Sequence, residues 1–145
     1  MYPFYLELEL TKPVIDYFKN DGYKVRKEIK IGFFHADIVA FKEGTVTAVE
    51  LKLKDWKKAI VQAKNYQFGV DYVYIAFPLM KSFNIMRKAK LKLEQDGIGL
   101  LVINEKTCKV SKIINAKKSE KSLGTVSLES IDNRIKNKVF NHWFF

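Results

Sequence analysis

The stretch ADIVAFKEGTVTAVELKLK, residues 36 to 54, constrains the fold more than any other part of the chain. Two apolar, β-branched runs flank Glu43-Gly44, a two-residue connection suited to a hairpin turn. Both faces of the predicted strands are mostly apolar, as in central strands covered on two sides. Yet this hairpin carries Asp37, Glu50 and Lys52, with His35 just ahead of it. A turn at Glu43-Gly44 pairs Lys42 with Thr45. Counting outward from there, Asp37 falls opposite Glu50 and His35 opposite Lys52, and alternation puts all four side chains on one face. Directly opposed residues have Cβ atoms roughly 4.5–5.5 Å apart. Two carboxylates so placed repel each other, and a bound divalent cation removes the repulsion. Val39, Phe41, Val46 and Ala48 share that face nearer the turn, so the polar cluster lies at the open end of an apolar surface. A bulge at Gly44 would shift the register by one and separate the two carboxylates. An isolated E-x-K is ordinarily a pair of solvated charges on an edge strand. Here Val46, Ala48, Val49, Leu51 and Leu53 make a poor edge, and a buried carboxylate needs a partner.

The flanking segments predict the rest of the layout. LELELTKPVIDYFKNDG reads as a helix with Leu10, Val14 and Phe18 on one face, Pro13 in its first turn and Gly22 as its cap. Its start lies near Leu6 or at Thr11. Residues 23 to 31 alternate as a strand with one wet face. DWKKAIVQAKNYQFG, residues 55 to 69, predicts a second helix capped by Asp55. Trp56, Ile60, Ala63 and Gln67 form one stripe, and Gln62 and Tyr66 stand one turn apart on the next. A short buried-type strand follows over 71 to 78, a basic helix over 81 to 97, and strand, turn and strand over 98 to 114. Residues 115 to 127 are polar loop, and 128 to 145 predict a last helix with Ile131, Ile135 and Val139 in register. With no internal repeat and no linker, residues 1 to 145 read as one domain. The class is α/β with a central mixed β-sheet flanked by helices, in the core order α-β-β-β-α-β-α-β.

Charge narrows the partners. Lys and Arg number 26 against 16 Asp and Glu, a net charge of +10. Such a balance favours a polyanion, either nucleic acid or an anionic membrane surface, although lysine enrichment also accompanies thermophilic proteomes. The longest apolar run, VYIAFPLM, is too short to span a bilayer, and MYPFYLELEL lacks the pattern of a signal peptide. Cys108 is the single cysteine, which excludes an intramolecular disulfide, argues against a zinc site and fits a reducing, cytoplasmic compartment. No base-reading module such as a zinc finger is present.

Asp37 followed by Glu50-Leu51-Lys52, on consecutive strands after a helix and a strand, resembles the PD-(D/E)xK nuclease superfamily. Ala36 replaces the proline of that motif, a mild departure. Gln62-x-x-x-Tyr66 resembles the Q-x-x-x-Y motif of the RecB-like branch, and Glu7 resembles a first-helix glutamate seen in many members. Glu7 faces inward if the first helix extends that far; Glu9 is the other candidate. The resemblance covers roughly residues 5 to 80, and the size and layout also look like archaeal Holliday-junction resolvases, small dimers of this fold.

The resemblance implies a restriction-endonuclease-like core and a Mg²⁺-dependent deoxyribonuclease, an endonuclease of repair or recombination, junction-resolving or otherwise. It implies Asp37, Glu50 and the Leu51 carbonyl as metal ligands, with Glu7 reaching a metal through water and Mn²⁺ substituting. Lys52 would orient water or meet charge on the phosphate, while Gln62 and Tyr66 would position the nucleophile or a phosphate. His35 either touches phosphate or makes an ordinary polar contact. Lys54, Lys57, Lys58 and Lys64 flank the site as a nucleic-acid grip, with Lys81, Arg87, Lys88, Lys90 and Lys92 as a second basic cluster. DNA is the expected partner and RNA the other polyanion the charge admits; no membrane partner is expected. The aromatic end VFNHWFF is either a core cap or a homodimer patch. The alternatives are a catalytically inactive nucleic-acid-binding or assembly module of the same fold, and a basic surface-binding protein with no site, which would hold Asp37 and Glu50 apart.

Overall fold

A 3-10 turn, Glu7–Leu10, leads into α1, Thr11–Asn20. The computed structural model describes residues 4 and 6–144, with side chains through residue 137. Leu10, Val14 and Phe18 are buried as their spacing predicts. The helix starts by a compromise between the two predicted positions, as a tight turn at Glu7 and as regular α-helix only from Thr11. Gly22, at φ +86°, then turns the chain into the sheet.

Six strands form one sheet in the order β1 (Lys24–Ile31), β2 (Phe34–Lys42), β3 (Thr45–Leu51), β4 (Tyr72–Pro78), β5 (Gly99–Ile103) and β6 (Val110–Ile114). The β3–β4 and β4–β5 pairs are parallel and the other three antiparallel, so the sheet is mixed. The parallel pairs are joined by α2 (Trp56–Tyr66) and α3 (Leu79–Asp96), because parallel neighbours require a crossover. The last helix, α4, runs Leu128–Phe144. The bidentate pair Arg26–Asp132, at 2.9 and 3.1 Å, ties it to β1. Ile131 is buried, Ile135 is largely exposed, and Val139 and the aromatic end lie outside the described side chains.

The helices cover both faces of the sheet. Val14 and Phe18 of α1 pack with Ile38, Ala40, Val49, Leu51, Ala76 and Leu101. Ile60, Ala63 and Tyr66 of α2, with Ile85 of α3 and Ile131 of α4, pack on Val39, Ala48, Ile75 and Leu100. Strands β3, β4 and β5 are therefore buried on both sides, which is why their sequences read as near-continuous apolar runs.

The β2–β3 hairpin has the predicted register. Lys42 pairs with Thr45 across the turn and Ile38 with Val49 at the far end. Glu43 and Gly44 both have positive φ, 51° and 78°, as a primed hairpin turn demands. The ladder ends one residue before Asp37 and Glu50 would pair. In the β1–β2 pairing, contacts run through Lys27–Ile38, skip Glu28 and Asp37, and resume at Ile29–Ala36. Glu28 sits at φ +54°, and strand alternation breaks there. Val25 packs with α1, whereas Ile29 and Ile31 pack on the α2 side. On β2, Ile38 and Ala40 face α1 but Ala36 faces α2.

Candidate active site

The interrupted end of the hairpin is where the charged residues meet. Glu50 has Val49 and Leu51 as neighbours facing α1, so its own side chain points to the α2 side and is only 3% exposed. Asp37 acts on its carboxylate, by hydrogen bonding and by charge, to favour the protonated form. Asp37 is half-buried, and its Oδ2 accepts from the Leu51 N–H at 2.8 Å. The Asp37 side chain thus supplies the bond that backbone pairing no longer gives. Beyond it, the Lys52 N–H donates to the Ala76 carbonyl at 3.1 Å, which fixes the direction of the lysine.

Lys52 Nζ lies 3.7 Å from Glu50 Oε1 and 3.9 Å from Glu7 Oε2. The 3-10 turn therefore brings Glu7, not Glu9, to the site. Glu9 turns back and accepts from the Leu6 N–H at 2.9 Å. A cavity of about 150 Å³ opens here, lined by Glu7, Thr11, Lys27, Glu28, Asp37 and Leu51 among others.

Tyr66 reaches Glu50 from α2. Its hydroxyl lies 2.5 Å from Glu50 Oε2 and 2.6 Å from the His35 carbonyl oxygen. A phenol has one hydrogen to give, so it serves one of the two acceptors at a time. When Glu50 is protonated, Glu50 donates to Tyr66 and Tyr66 to His35; when Glu50 is charged, Tyr66 donates to it. Burial, followed by the hydrogen-bonded Asp37 carboxylate, pushes the Glu50 carboxyl up to about 8. Burial and then Glu50 push the Tyr66 hydroxyl far above the ordinary tyrosine range, so it remains a donor.

Gln62 stands one turn before Tyr66, and its Oε1 is buried without a hydrogen-bond partner among the described residues. His35 departs from the expectation. Strand alternation breaks at Asp37, and His35 is exposed, its carbonyl rather than its ring bonded to Tyr66. Pure period-2 counting could not foresee this, because the signal is a positive φ at Glu28, a residue type without strong turn preference. Lys54, Lys57 and Lys58 are exposed around the start of α2 and Lys64 is half-buried. Lys57 lies over the Trp56 ring at 5.6 Å.

The donor set fits a hard divalent cation. Two neighbouring carboxylates, one of them buried, repel unless a proton or a cation offsets their charge. Among the described residues no three of His, Cys, Asp and Glu converge on one metal position. Asp37 and Glu50 are the residues that could share a cation, and Mg²⁺ accepts one or two carboxylates with waters and phosphate completing its shell.

No family model matches the sequence, and no curated protein matches it. The fold does have solved counterparts. A protein of unknown function from Silicibacter pomeroyi superposes with a TM-score of 0.69 at 12% identity, over 96% of this chain and 90% of that one. An XisH family protein from Nostoc punctiforme PCC 73102 superposes at 0.56 with 20% identity, over 74% of this chain and 97% of that one. An FdxN element excision controlling factor protein from Anabaena variabilis gives 0.55 at 22% identity, again over 74% and 97%. At these identities the likeness is one of fold. Among the described residues no helix is long and apolar enough to cross a membrane.

Proposed function

We propose that the chain is a Mg²⁺-dependent nuclease of the PD-(D/E)xK kind, built on a restriction-endonuclease-like core and hydrolysing DNA phosphodiester bonds. The observation that carries this reading is the buried Glu50 carboxylate with the Lys52 ammonium 3.7 Å away, at the point where Asp37 ties β2 to β3 by accepting from the Leu51 N–H at 2.8 Å. Asp37, Glu50 and the Leu51 carbonyl would hold Mg²⁺, with Glu7 contributing through water and Mn²⁺ able to substitute. Bound there, the ion would supply polarisation of the phosphate and a lowered pKa for a water.

The chain's own residues do the rest. Lys52, held by Glu7 and Glu50, presents its charge where negative charge grows on the phosphate. Tyr66 keeps the Glu50 carboxylate in place and passes a hydrogen bond between it and the His35 carbonyl. The buried Gln62 Oε1 is an acceptor available to a water or a substrate hydroxyl. Lys54, Lys57 and Lys58 bind backbone phosphates without reading sequence. The fuller form of this reading is an endonuclease of repair or recombination, junction-resolving included, acting as a cytoplasmic homodimer.

A second reading, a nucleic-acid-binding or assembly module that does not cut, is favoured by the absence of a third convergent carboxylate among the described residues. Linear, branched and single-stranded DNA incubated with Mg²⁺, Mn²⁺ or chelator, beside Glu50→Ala, separates the two. Cleavage that needs both the metal and Glu50 is expected. DNA that is bound and never cut supports the second reading, and neither binding nor cleavage overturns both.

A further inference from the structure

The β1–β2 turn holds Phe33 94% exposed, beside Phe34 at 42%. A phenylalanine that open to water gives up most of the burial that ordinarily stabilises it. Its setting is stiff. Gly32, at φ +60°, and Phe33 are the two turn residues between the paired Ile31 and Phe34, with Lys30 and His35 pairing behind them. Glycine first in a two-residue turn is what a II′ hairpin requires, so the ring is carried on a short, preorganised loop. Two residues on, the His35 carbonyl accepts from Tyr66 at 2.6 Å, and Asp37 follows on the same strand.

The surroundings are basic. Lys30 is exposed on β1 just before the turn, Arg134 donates to its carbonyl at 3.3 Å, and Lys27 is exposed further along the strand. Glu28 is the acid among them, and it lines the catalytic cavity. A bare aromatic ring with Lys30 and Arg134 behind it suits a partner that combines negative charge with flat apolar faces. A protein face would match the ring but not the cations; a nucleic acid matches both.

We propose that Phe33 stacks on a base of the DNA beside the bond to be cut, and that it selects DNA already unstacked at a branch, mismatch or end. The inference rests on the nuclease reading of the adjacent site. Separating stacked bases costs free energy, and that cost is smallest where the stack is already broken. Phe33 therefore discriminates by the state of the helix and not by its sequence. Its contribution is apolar, so salt leaves it intact, whereas salt weakens the contribution of the lysines.

The test measures polarisation of labelled four-way junction and continuous duplex at two salt concentrations in chelator, with wild type, Phe33→Ala, Phe33→Trp and Lys30→Ala. Phe33→Ala should bind the junction about tenfold more weakly at both salts and lose the preference over duplex. Lys30→Ala should lose affinity mainly at low salt. Phe33→Trp should restore binding, and its added emission should be quenched by DNA. The exposed tip makes all these variants fold, which circular dichroism checks. Wild-type affinity and preference in Phe33→Ala, or an unquenched Trp on bound DNA, overturn the inference while leaving the nuclease reading intact. A change of sedimentation mass in Phe33→Ala with no change in DNA affinity also overturns it, in favour of a contact between copies. Wild type that binds no DNA at all overturns the nuclease reading and this inference with it.

Discussion

Asp37 Oδ2 accepts the Leu51 N–H at 2.8 Å, so a metal-ligand candidate on β2 also closes the hydrogen-bond ladder to β3. The same side chain thus has a structural role beside the chemical one proposed for it, and substitutions separate them. Asn at position 37 keeps an acceptor for Leu51 and removes the charge. Asp37→Asn should melt close to wild type and lose Mg²⁺ binding in calorimetry, with cleavage down by about a hundredfold or more, the scale of lost transition-state electrostatics. Asp37→Ala leaves the Leu51 amide unpaired. It should be destabilised by about 1–3 kcal/mol in denaturant melts.

The Tyr66 hydroxyl bridges Glu50 and the His35 carbonyl. Tyr66→Phe leaves both acceptors without that donor in a buried setting, at a cost of about 1–3 kcal/mol. The hydroxyl also lowers the Glu50 pKa from where burial alone would put it. The pH at which Mg²⁺ binding is half-maximal should therefore rise in Tyr66→Phe. An unmoved midpoint would mean that the phenol is merely packed against the carboxylate.

The hairpin and its register were legible because turn chemistry and period-2 burial agree: Glu43-Gly44 takes the positive φ values, and Val39, Ala48 and their neighbours fill both faces. Leu10, Val14 and Phe18 were legible for the same reason, with helix spacing and burial pointing one way. The placement of His35 was not, because the break at Glu28 depends on a backbone conformation that glutamate does not announce. The choice between Glu7 and Glu9 was also beyond the helical wheel, since a 3-10 turn replaces the α-helix there. Tyr66 was read as near the site, but its bond to a carbonyl is a backbone matter that no side-chain pattern encodes.

Glu50 should give the metal-free protein a distinctive pH dependence. Its carboxyl rises from an ordinary value of 4.5 to about 8 on folding. Between those values the folded chain holds a proton that the unfolded chain has released, so stability falls as pH rises. The contribution is fully present below about 4.5 and gone above about 8. Wild type compared with Glu50→Gln across this range should show the wild-type melting temperature dropping relative to the variant. Mg²⁺ reverses the trend, because it competes with the proton and stabilises most at high pH. A wild-type melting temperature that rises with pH relative to Glu50→Gln would contradict the raised carboxyl.

Lys52 lies between Glu7 and Glu50, 3.9 and 3.7 Å away, and is little exposed. Lys52→Met keeps the stem and removes the charge. Mg²⁺ binding should survive, and even tighten through loss of a competing cation, while cleavage falls by about a hundredfold. Lys52→Arg should recover little, because a planar fork cannot replace a compact ammonium between two carboxylates. Glu7→Gln should cut activity by about tenfold by releasing one side of Lys52. Glu9→Gln, which retains an acceptor for the Leu6 amide, is the comparison for the charge of the turn. Single-turnover rates of the four variants, each measured beside calorimetric Mg²⁺ titration, check the assignment. Equal losses in Glu7→Gln and Glu9→Gln would move the role from a specific ion pair to the charge of the turn as a whole.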